Sequence, residues 1–371
     1  MSASFLRLLR RPLALAASAV VTAGAAAWAF SALASLPTPA SAAVSSPYAS
    51  KLPVEGRMPG FDGATTWFNS APLNAQNLHG KVVLVDFWTY SCINCIRTIP
   101  YVRAWASKYR DQGLAVVGVH TPEFKFEQDL TNVNAAVARF HIDFPVALDG
   151  KQQIWNAWGN HYWPAYYLVD GNGKVRYRQF GEGGYDKMER AIQSLLAENR
   201  GAPVDTSLVN PPAAAELMAP DLARLQSDET YIGYDKASNF RSGQRIREDR
   251  PQVYTVDKLG VNDWGLAGQW VVGGESAVPD VAGAALAYQF SARDLHLVAG
   301  PGKAGKVRVK VTLDGMPPGA DHGADIDADG NGVIDSTRLY QLVRQSGKVT
   351  QRRFEVKFLD RGAEAFAFTF G

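Results

Sequence analysis

Apolar and polar positions along the chain fall into two regimes. From about Pro59 to Arg200 strand and helix patterns alternate. Val82 to Phe87 is a continuous apolar run broken only by Asp86, and it predicts a buried strand. Ile93 to Arg110 carries Ile96, Ile99, Val102, Trp105 and Ala106 at three- and four-residue spacing, which predicts a helix. Leu114 to Val119 reads as a second buried strand. Glu127 to Phe140 reads as a helix with Leu130, Val133, Val137 and Phe140 inward. Ala165 to Val169 and Lys174 to Phe180 flank the turn Asp170-Gly171-Asn172-Gly173 and predict a hairpin. Tyr185 to Asn199 closes the set as an amphipathic helix with Met188, Ile192, Leu195 and Leu196 inward. This order predicts an α/β domain with a mixed central sheet and helices on both faces.

After a Pro- and Ala-rich stretch, residues 201–221, the period changes to two. Apolar alternation recurs in 284–290, 306–311, 338–344, 353–358 and 364–370, with Gly-rich turns between. Short strands with turn signals and little helix predict an all-β jelly-roll sandwich over residues 222–371. The expected domains are thus 59–200 and 222–371, joined by a linker at 201–221 and preceded by another at 43–58.

The beginning of the chain is different. Arg7, Arg10 and Arg11 precede an uncharged, Ala-rich run from Pro12 to Leu36, and Pro39-Ala40-Ser41-Ala42 ends it with small residues. Residues 1–42 read as an export signal, with an uncleaved inner-membrane anchor as the alternative because the run is long enough to span a bilayer. Either reading puts the body in the periplasm or otherwise outside the cytoplasm. The net charge of +2 and the lack of a basic cluster interleaved with aromatics argue against a nucleic-acid partner.

The 371 residues contain two cysteines, Cys92 and Cys95. They sit where the first strand gives way to the first long helix. Two thiols three apart can close a short disulfide, and the free N–H groups of a helix start favour an anionic sulfur there. That chemistry is thiol–disulfide exchange. A zinc site needs four ligands, and neither a second cysteine pair nor an H-x(3–5)-H spacing near His79 and His120 supplies them. A structural staple across two residues constrains the unfolded chain little. Cys92, at the helix start, is the candidate attacking thiolate and Cys95 the resolving thiol. Asp86, a carboxylate in an apolar strand, is a candidate proton relay for Cys95; the alternative is a locally hydrogen-bonded buried acid.

The run Leu84-Val85-Asp86-Phe87-Trp88 before the C-x-x-C, with Pro100 in the helix and Trp163-Pro164 before the strand at Ala165, resembles the thioredoxin superfamily. The strings Trp88-Thr89-Tyr90-Ser91-Cys92-Ile93-Asn94-Cys95 and Val117-Gly118-Val119-His120-Thr121-Pro122-Glu123-Phe124 are similar to the soluble part of DipZ-type proteins, in the TlpA-like branch. Glu229-Thr230-Tyr231-Ile232-Gly233 resembles the carbohydrate-binding-module-like domain that follows in that family. The resemblance implies a thiol–disulfide oxidoreductase acting on protein disulfides or dithiols, in cytochrome c maturation or envelope redox homeostasis. It implies a cis bond before Pro164, with Trp163 and Pro164 at the substrate. It places Trp88 beside the disulfide, core packing being the alternative. Glu123 matches a reductase glutamate in related proteins, or else merely ends a strand. DipZ-type proteins often carry a CcdA-like membrane domain, so a separate membrane electron donor or acceptor is the implied partner.

Rival readings remain. Thr89-Tyr90-Ser91-Cys92 matches half of a peroxiredoxin signature, but Val85 stands where that family has proline. Trp264, Trp270, Tyr231 and Tyr234 are candidates for stacking on a glycan, or else sandwich core, and a glycan-binding protein with a vestigial redox domain is the rival function. Asp325, Asp327 and Asp329 look like half of a calcium loop, although Ser336 stands where a bidentate Glu is needed. A strand-joining turn is the other reading. No cofactor beyond the disulfide and no other metal is expected.

Overall fold

The computed structural model describes residues 48–212 and 217–371. The export segment, with Arg7, Arg10 and Arg11, lies outside the described residues, as does part of the second linker. Among the described residues no helix is long and apolar enough to cross a membrane.

The first half is a seven-stranded mixed sheet. Its strands are β1 (Gly56–Arg57), β2 (Thr66–Phe68), β3 (Val82–Trp88), β4 (Leu114–His120), β5 (Val146–Leu148), β6 (Ala165–Val169) and β7 (Lys174–Phe180). They lie in the order β1-β7-β6-β3-β4-β5-β2. β3, β4 and β5 are parallel; β6 runs antiparallel to β3 and pairs with β7 as a hairpin. The helices are α1 (Ala75–Leu78), α2 (Ile93–Tyr109), α3 (Leu130–Arg139), α4 (Gln153–Ala157) and α5 (Tyr185–Arg200).

Alternate residues of β3 feed two cores, because successive strand side chains point to opposite faces. Val82, Leu84 and Trp88 join apolar residues of α2, α3 and α5. Val83, Val85 and Phe87 join Leu78 of α1 with Ile154 and Trp155 of α4. Every residue of β3 is buried, so the strand reads as one apolar run rather than as an alternation.

Four local readings need correction. Leu130 is 50% exposed rather than inward. Lys125–Gln128 forms a separate 3₁₀ turn, and α3 begins only at Leu130, capped by the Asp129 carboxylate on the N–H groups of Thr131 and Asn132. The inward face is then Val133, Ala136 and Val137. Residues 48–58, read as linker, pack on the sheet instead: Gly56–Arg57 pairs with β7, and the carbonyl of Leu52 accepts a bond of 2.7 Å from Arg176. The bridge after α5 is also engaged, because Val209 N–H donates to the buried Glu189 at 2.9 Å. Trp264 and Trp270 are fully buried, which is the sandwich-core reading of the two rings. Their indole N–H groups donate to the carbonyls of Ser238 and Ala267, so neither ring is available to stack on a glycan.

Those two tryptophans belong to the second half, an all-β curled antiparallel sandwich of eleven strands. The strands are β8 (Thr230–Tyr231), β9 (Pro251–Tyr254), β10 (Trp264–Val272), β11 (Ala277–Pro279), β12 (Ala285–Ser291), β13 (Asp294–Gly300), β14 (Val307–Leu313), β15 (Asn331–Ile334), β16 (Arg338–Arg344), β17 (Gln351–Phe358) and β18 (Glu364–Phe370). β18 and β13 are neighbours, and β8 adds to the outside of β18. One core, from Ile232 to Phe370, fills the sandwich. The acidic run before β15 is a strand-joining turn. Asp325 ion-pairs with Arg338 at 2.8 Å, and Asp327 accepts two bonds from Asn331. Among the described residues no group of three acid, His or Cys side chains could hold a metal ion.

The halves pack within one compact unit. An apolar cluster joins them: Ile93 and Phe124 of the first meet Val298, Leu339, Phe366 and Ala367 of the second. Phe126 lies 4.5 Å from the Phe366 ring, centre to centre.

Candidate redox site

β3 ends at Trp88, and Thr89, Tyr90 and Ser91 form a buried loop that leads into α2. A buried carboxylate holds the loop. Glu127 accepts the Ser91 hydroxyl at 2.6 Å and the N–H groups of Glu123 at 2.7 Å and Phe124 at 3.1 Å. Burial pushes its carboxyl up, and these donors oppose that push. The sequence reading did not single out Glu127; an acid in a polar helical stretch carries no sign that it folds inward.

Cys92 is the N-cap of α2. Its backbone is extended, and its Sγ accepts the Cys95 N–H at 3.3 Å. An N-cap acceptor of this kind normally is an oxygen of Ser, Thr, Asp or Asn. Here the acceptor is sulfur, so one of the free donors of the helix start points at a reactive atom. Cys92 is partly exposed and Cys95 fully buried one turn below it; both are thiols. Burial pushes the Cys95 thiol well up, and Cys92 and the charge of Asp86 push the same way.

Asp86 is 1% exposed, and burial raises its carboxyl to about 8. Its Oδ1 has no hydrogen-bond partner among the described residues. The local hydrogen bonds that would make it an inert buried acid are therefore absent from that oxygen. Trp88 shares a core cluster with Cys95 and stands edge-on to the buried His120 at 5.0 Å. Packing beside the thiols and core packing are thus the same placement.

The Trp163–Pro164 bond is cis. Trp163 is held by its indole N–H on the Thr121 carbonyl at 3.1 Å and by the Trp155 ring at 4.2 Å. Glu123 follows β4 and faces the second domain. It accepts the Tyr231 hydroxyl and lies 3.5 Å from Lys236 Nζ. It thus stands at the boundary between the two halves.

These residues converge on one cleft of about 470 Å³. Cys92, Asn94, Glu123 and Trp163 line one side; Asp228, Glu229, Tyr231 and Thr369 line the other. Pro164 lies buried behind Trp163, and Asp86 and Cys95 lie behind Cys92. The second wall was not legible in sequence, because Glu229 and Tyr231 stand more than a hundred positions from Cys92. A partly exposed thiol on a helix start, with a buried thiol and a buried carboxyl beneath it, can attack a disulfide and then release the product.

Known proteins share this plan. Residues 54–194 match the Redoxin family, and residues 227–371 match the family described as thioredoxin like C-terminal domain. Protein DipZ of Mycobacterium bovis is 35% identical over 321 residues, which are 85% of this chain and 43% of DipZ. The chain therefore spans less than half of that relative. Thiol-disulfide oxidoreductase YkuV of Bacillus subtilis is 33% identical over 141 residues, 38% of this chain and 95% of YkuV. Thiol-disulfide oxidoreductase ResA of Geobacillus thermodenitrificans is 35% identical over 97 residues, 26% of this chain and 53% of ResA. Since the match to YkuV runs along nearly that protein's whole length, the chain belongs to the thioredoxin-like thiol–disulfide oxidoreductases, with a DipZ-like second domain.

Proposed function

We propose that the chain is an extracytoplasmic thiol–disulfide oxidoreductase whose Cys92–Cys95 couple exchanges with protein disulfides. The observation that carries this reading is the nearness of three groups: Cys92 Sγ at the cleft, Cys95 buried one turn below it, and a buried Asp86 whose charge acts on the Cys95 thiol.

In the reductive direction the Cys92 thiolate attacks one sulfur of a substrate disulfide. A Cys92–substrate disulfide forms and the first substrate thiolate leaves. The Cys95 thiol then loses its proton to Asp86, and its thiolate attacks the Cys92 sulfur. The second substrate thiolate leaves, and the Cys92–Cys95 disulfide remains. Two electrons pass to the substrate. The oxidative direction runs the same steps backwards. Trp163, with Pro164 behind it, borders the position of the entering substrate, Trp88 packs in the core with Cys95, and Glu123 shapes the rim.

Outside the cytoplasm such a couple needs an electron partner. A CcdA-like membrane protein suits a reducing role in cytochrome c maturation or envelope redox homeostasis, with residues 1–42 as the export signal or anchor. The reduction potential decides the direction. A value near about −270 mV means a reductant, and one near about −120 mV means a disulfide donor.

The test is insulin reduction and dithiol oxidation by the full exported chain. Cys92→Ser abolishes both, and Cys95→Ser accumulates a mixed disulfide with substrate on Cys92. Activity that survives Cys92→Ser removes the reading.

A further inference from the structure

The cleft has a wall of its own chemistry. Glu123, Asp228 and Glu229 line it, against one imidazole, that of His161. Lys236 lies 3.5 Å from Glu123, but among the described residues neither Asp228 nor Glu229 has an ion-pair partner within 4.0 Å. Both are exposed to the cleft. The Tyr231 hydroxyl donates its one proton to Glu123 across the domain boundary, and Glu229 lies 3.2 Å from the same oxygen. The three carboxylates line the same cleft as Cys92, two of them gathered at one hydroxyl.

A second feature of the same wall is independent of charge. Thr369 of β18 is 8% exposed and lines the cleft, and its Oγ1 has no hydrogen-bond partner among the described residues. A buried hydroxyl without a partner is costly unless something that enters the site satisfies it. The cleft volume of about 470 Å³ falls within the range of about 300–1,000 Å³ typical of ligand pockets. Ile93, the residue between Cys92 and Asn94, is buried against the second domain, so that domain closes one side of the approach to the sulfur.

We propose that the second domain is the substrate selector of the redox site: its acidic wall takes extended peptide segments with a lysine or arginine beside the reacting cysteine, and Thr369 binds their main chain. The proposal rests on the thiol–disulfide exchange reading and names its substrate class. Opposite charges across such a contact raise the encounter rate and suppress like-charged competitors. The exchange step is the one given above; the peptide disulfide is the oxidant and the protein dithiol the reductant.

Three nonapeptides test this. Each has one cysteine in a mixed disulfide with 2-mercaptoethanol, and they differ only in the residue after it: Lys, Ser or Glu. The reduced full chain reacts with each in a single turnover at pH 8, above the value of about 7 to which desolvation and then Glu123 raise Glu229. Acid quenching and mass counting give the rates. The Lys peptide is expected to react about tenfold faster than the Glu peptide at low ionic strength, with Ser between. The ratio should shrink toward one between about 0.01 M and about 1 M salt, as the screening length falls from about 30 Å to about 3 Å. In the double variant Asp228→Asn, Glu229→Gln the ratio should fall to about two or less; a ratio cancels any general change in Cys92 reactivity. A wild-type ratio near one at low salt overturns the proposal, whether or not the variant folds. So does a ratio that survives in the folded double variant. No reaction with any of the three peptides overturns the exchange reading itself, and the proposal with it.

Discussion

Arg97, on the helix that carries both thiols, lies 3.7 Å from Asp294 of the second domain, and both side chains are buried. The same guanidinium bonds Glu182 at 3.0 Å. Asp294 is also held by Arg293 at 2.6 Å and by Arg344 at 2.8 Å. The redox helix is thus tied to the β-sandwich by charge as well as by the apolar cluster around Ile93.

Arg97→Leu should loosen that tie. Asp294 keeps two arginines, so the loss falls mainly on Glu182, which is left without its partner. The expected cost is about 3 kcal/mol, the scale seen when one member of a buried pair is removed. Urea unfolding should show it. A change within about 0.5 kcal/mol of wild type, the size of an ordinary surface substitution, would mean that the apolar cluster alone joins the domains.

Asp86 predicts a pH dependence. Its carboxyl titrates near about 8 in the folded chain, against about 3.9 unfolded. Folding therefore takes up a proton between these values. The stability it contributes is full below about pH 4 and is lost as pH rises through about 8. Asp86→Asn removes this loss, so urea midpoints should fall less from pH 5 to 9, by an amount on the order of a few kcal/mol at the alkaline end. The same variant should slow release of the mixed disulfide by about 10²-fold, the usual scale for losing a general base. Parallel pH curves for variant and wild type would exclude the raised carboxyl.

Two buried histidines act in the opposite direction. Burial lowers His120 to about 3, and burial together with the charge of Arg97 lowers His296 to about 3. A neutral folded imidazole is stable above about pH 6.5, and that contribution is lost as pH falls toward about 3. His296→Gln should lessen acid unfolding by roughly 2–3 kcal/mol at pH 4, read from midpoints at pH 4 and 7. An unchanged difference between those midpoints would count against it.

Glu127 fixes the loop before Cys92 through several donors. Glu127→Ala leaves the Ser91 hydroxyl and the N–H groups of Ser91, Glu123 and Phe124 without their acceptor inside the protein, at a cost of about 1–3 kcal/mol for each group that water does not reach. Disulfide exchange should slow along with the loss of stability, and Glu127→Gln should restore part of both. Full exchange activity in a folded Glu127→Ala protein would show that the loop holds itself.

Trp264→Ala is a prediction about the second domain. The ring is core, so the substitution should cost about 3–5 kcal/mol. No glycan affinity should depend on it beyond that loss of fold.

Much of the first domain was legible in the order of residues. A continuous apolar run, a helix-period face and a hairpin turn are local signals, and each segment carries its own. The position of Cys92 at a helix start follows from the end of the β3 run and the start of the α2 pattern. Short strands such as β2 and β5 carry too few residues to show a period. β13 is buried along its whole length, so its polar Asp294 and His296 mimic a break. Leu130 misled because the apolar spacing continues through the 3₁₀ turn that ends before it.

What the tertiary structure decided is which distant groups meet. Whether Asp86 is inert or lies behind Cys95 depends on the face of β3 that α2 covers. Whether Tyr231 is a sugar platform or the partner of Glu123 depends on how β8 extends β18 beside the first domain. Whether Trp264 faces solvent or core depends on the fold of the sandwich around it. Periodicity reports which face of an element is apolar; it does not report what that face packs against. The acidic wall before Cys92 is built from residues 123, 228 and 229, and only packing of the two domains sets them side by side.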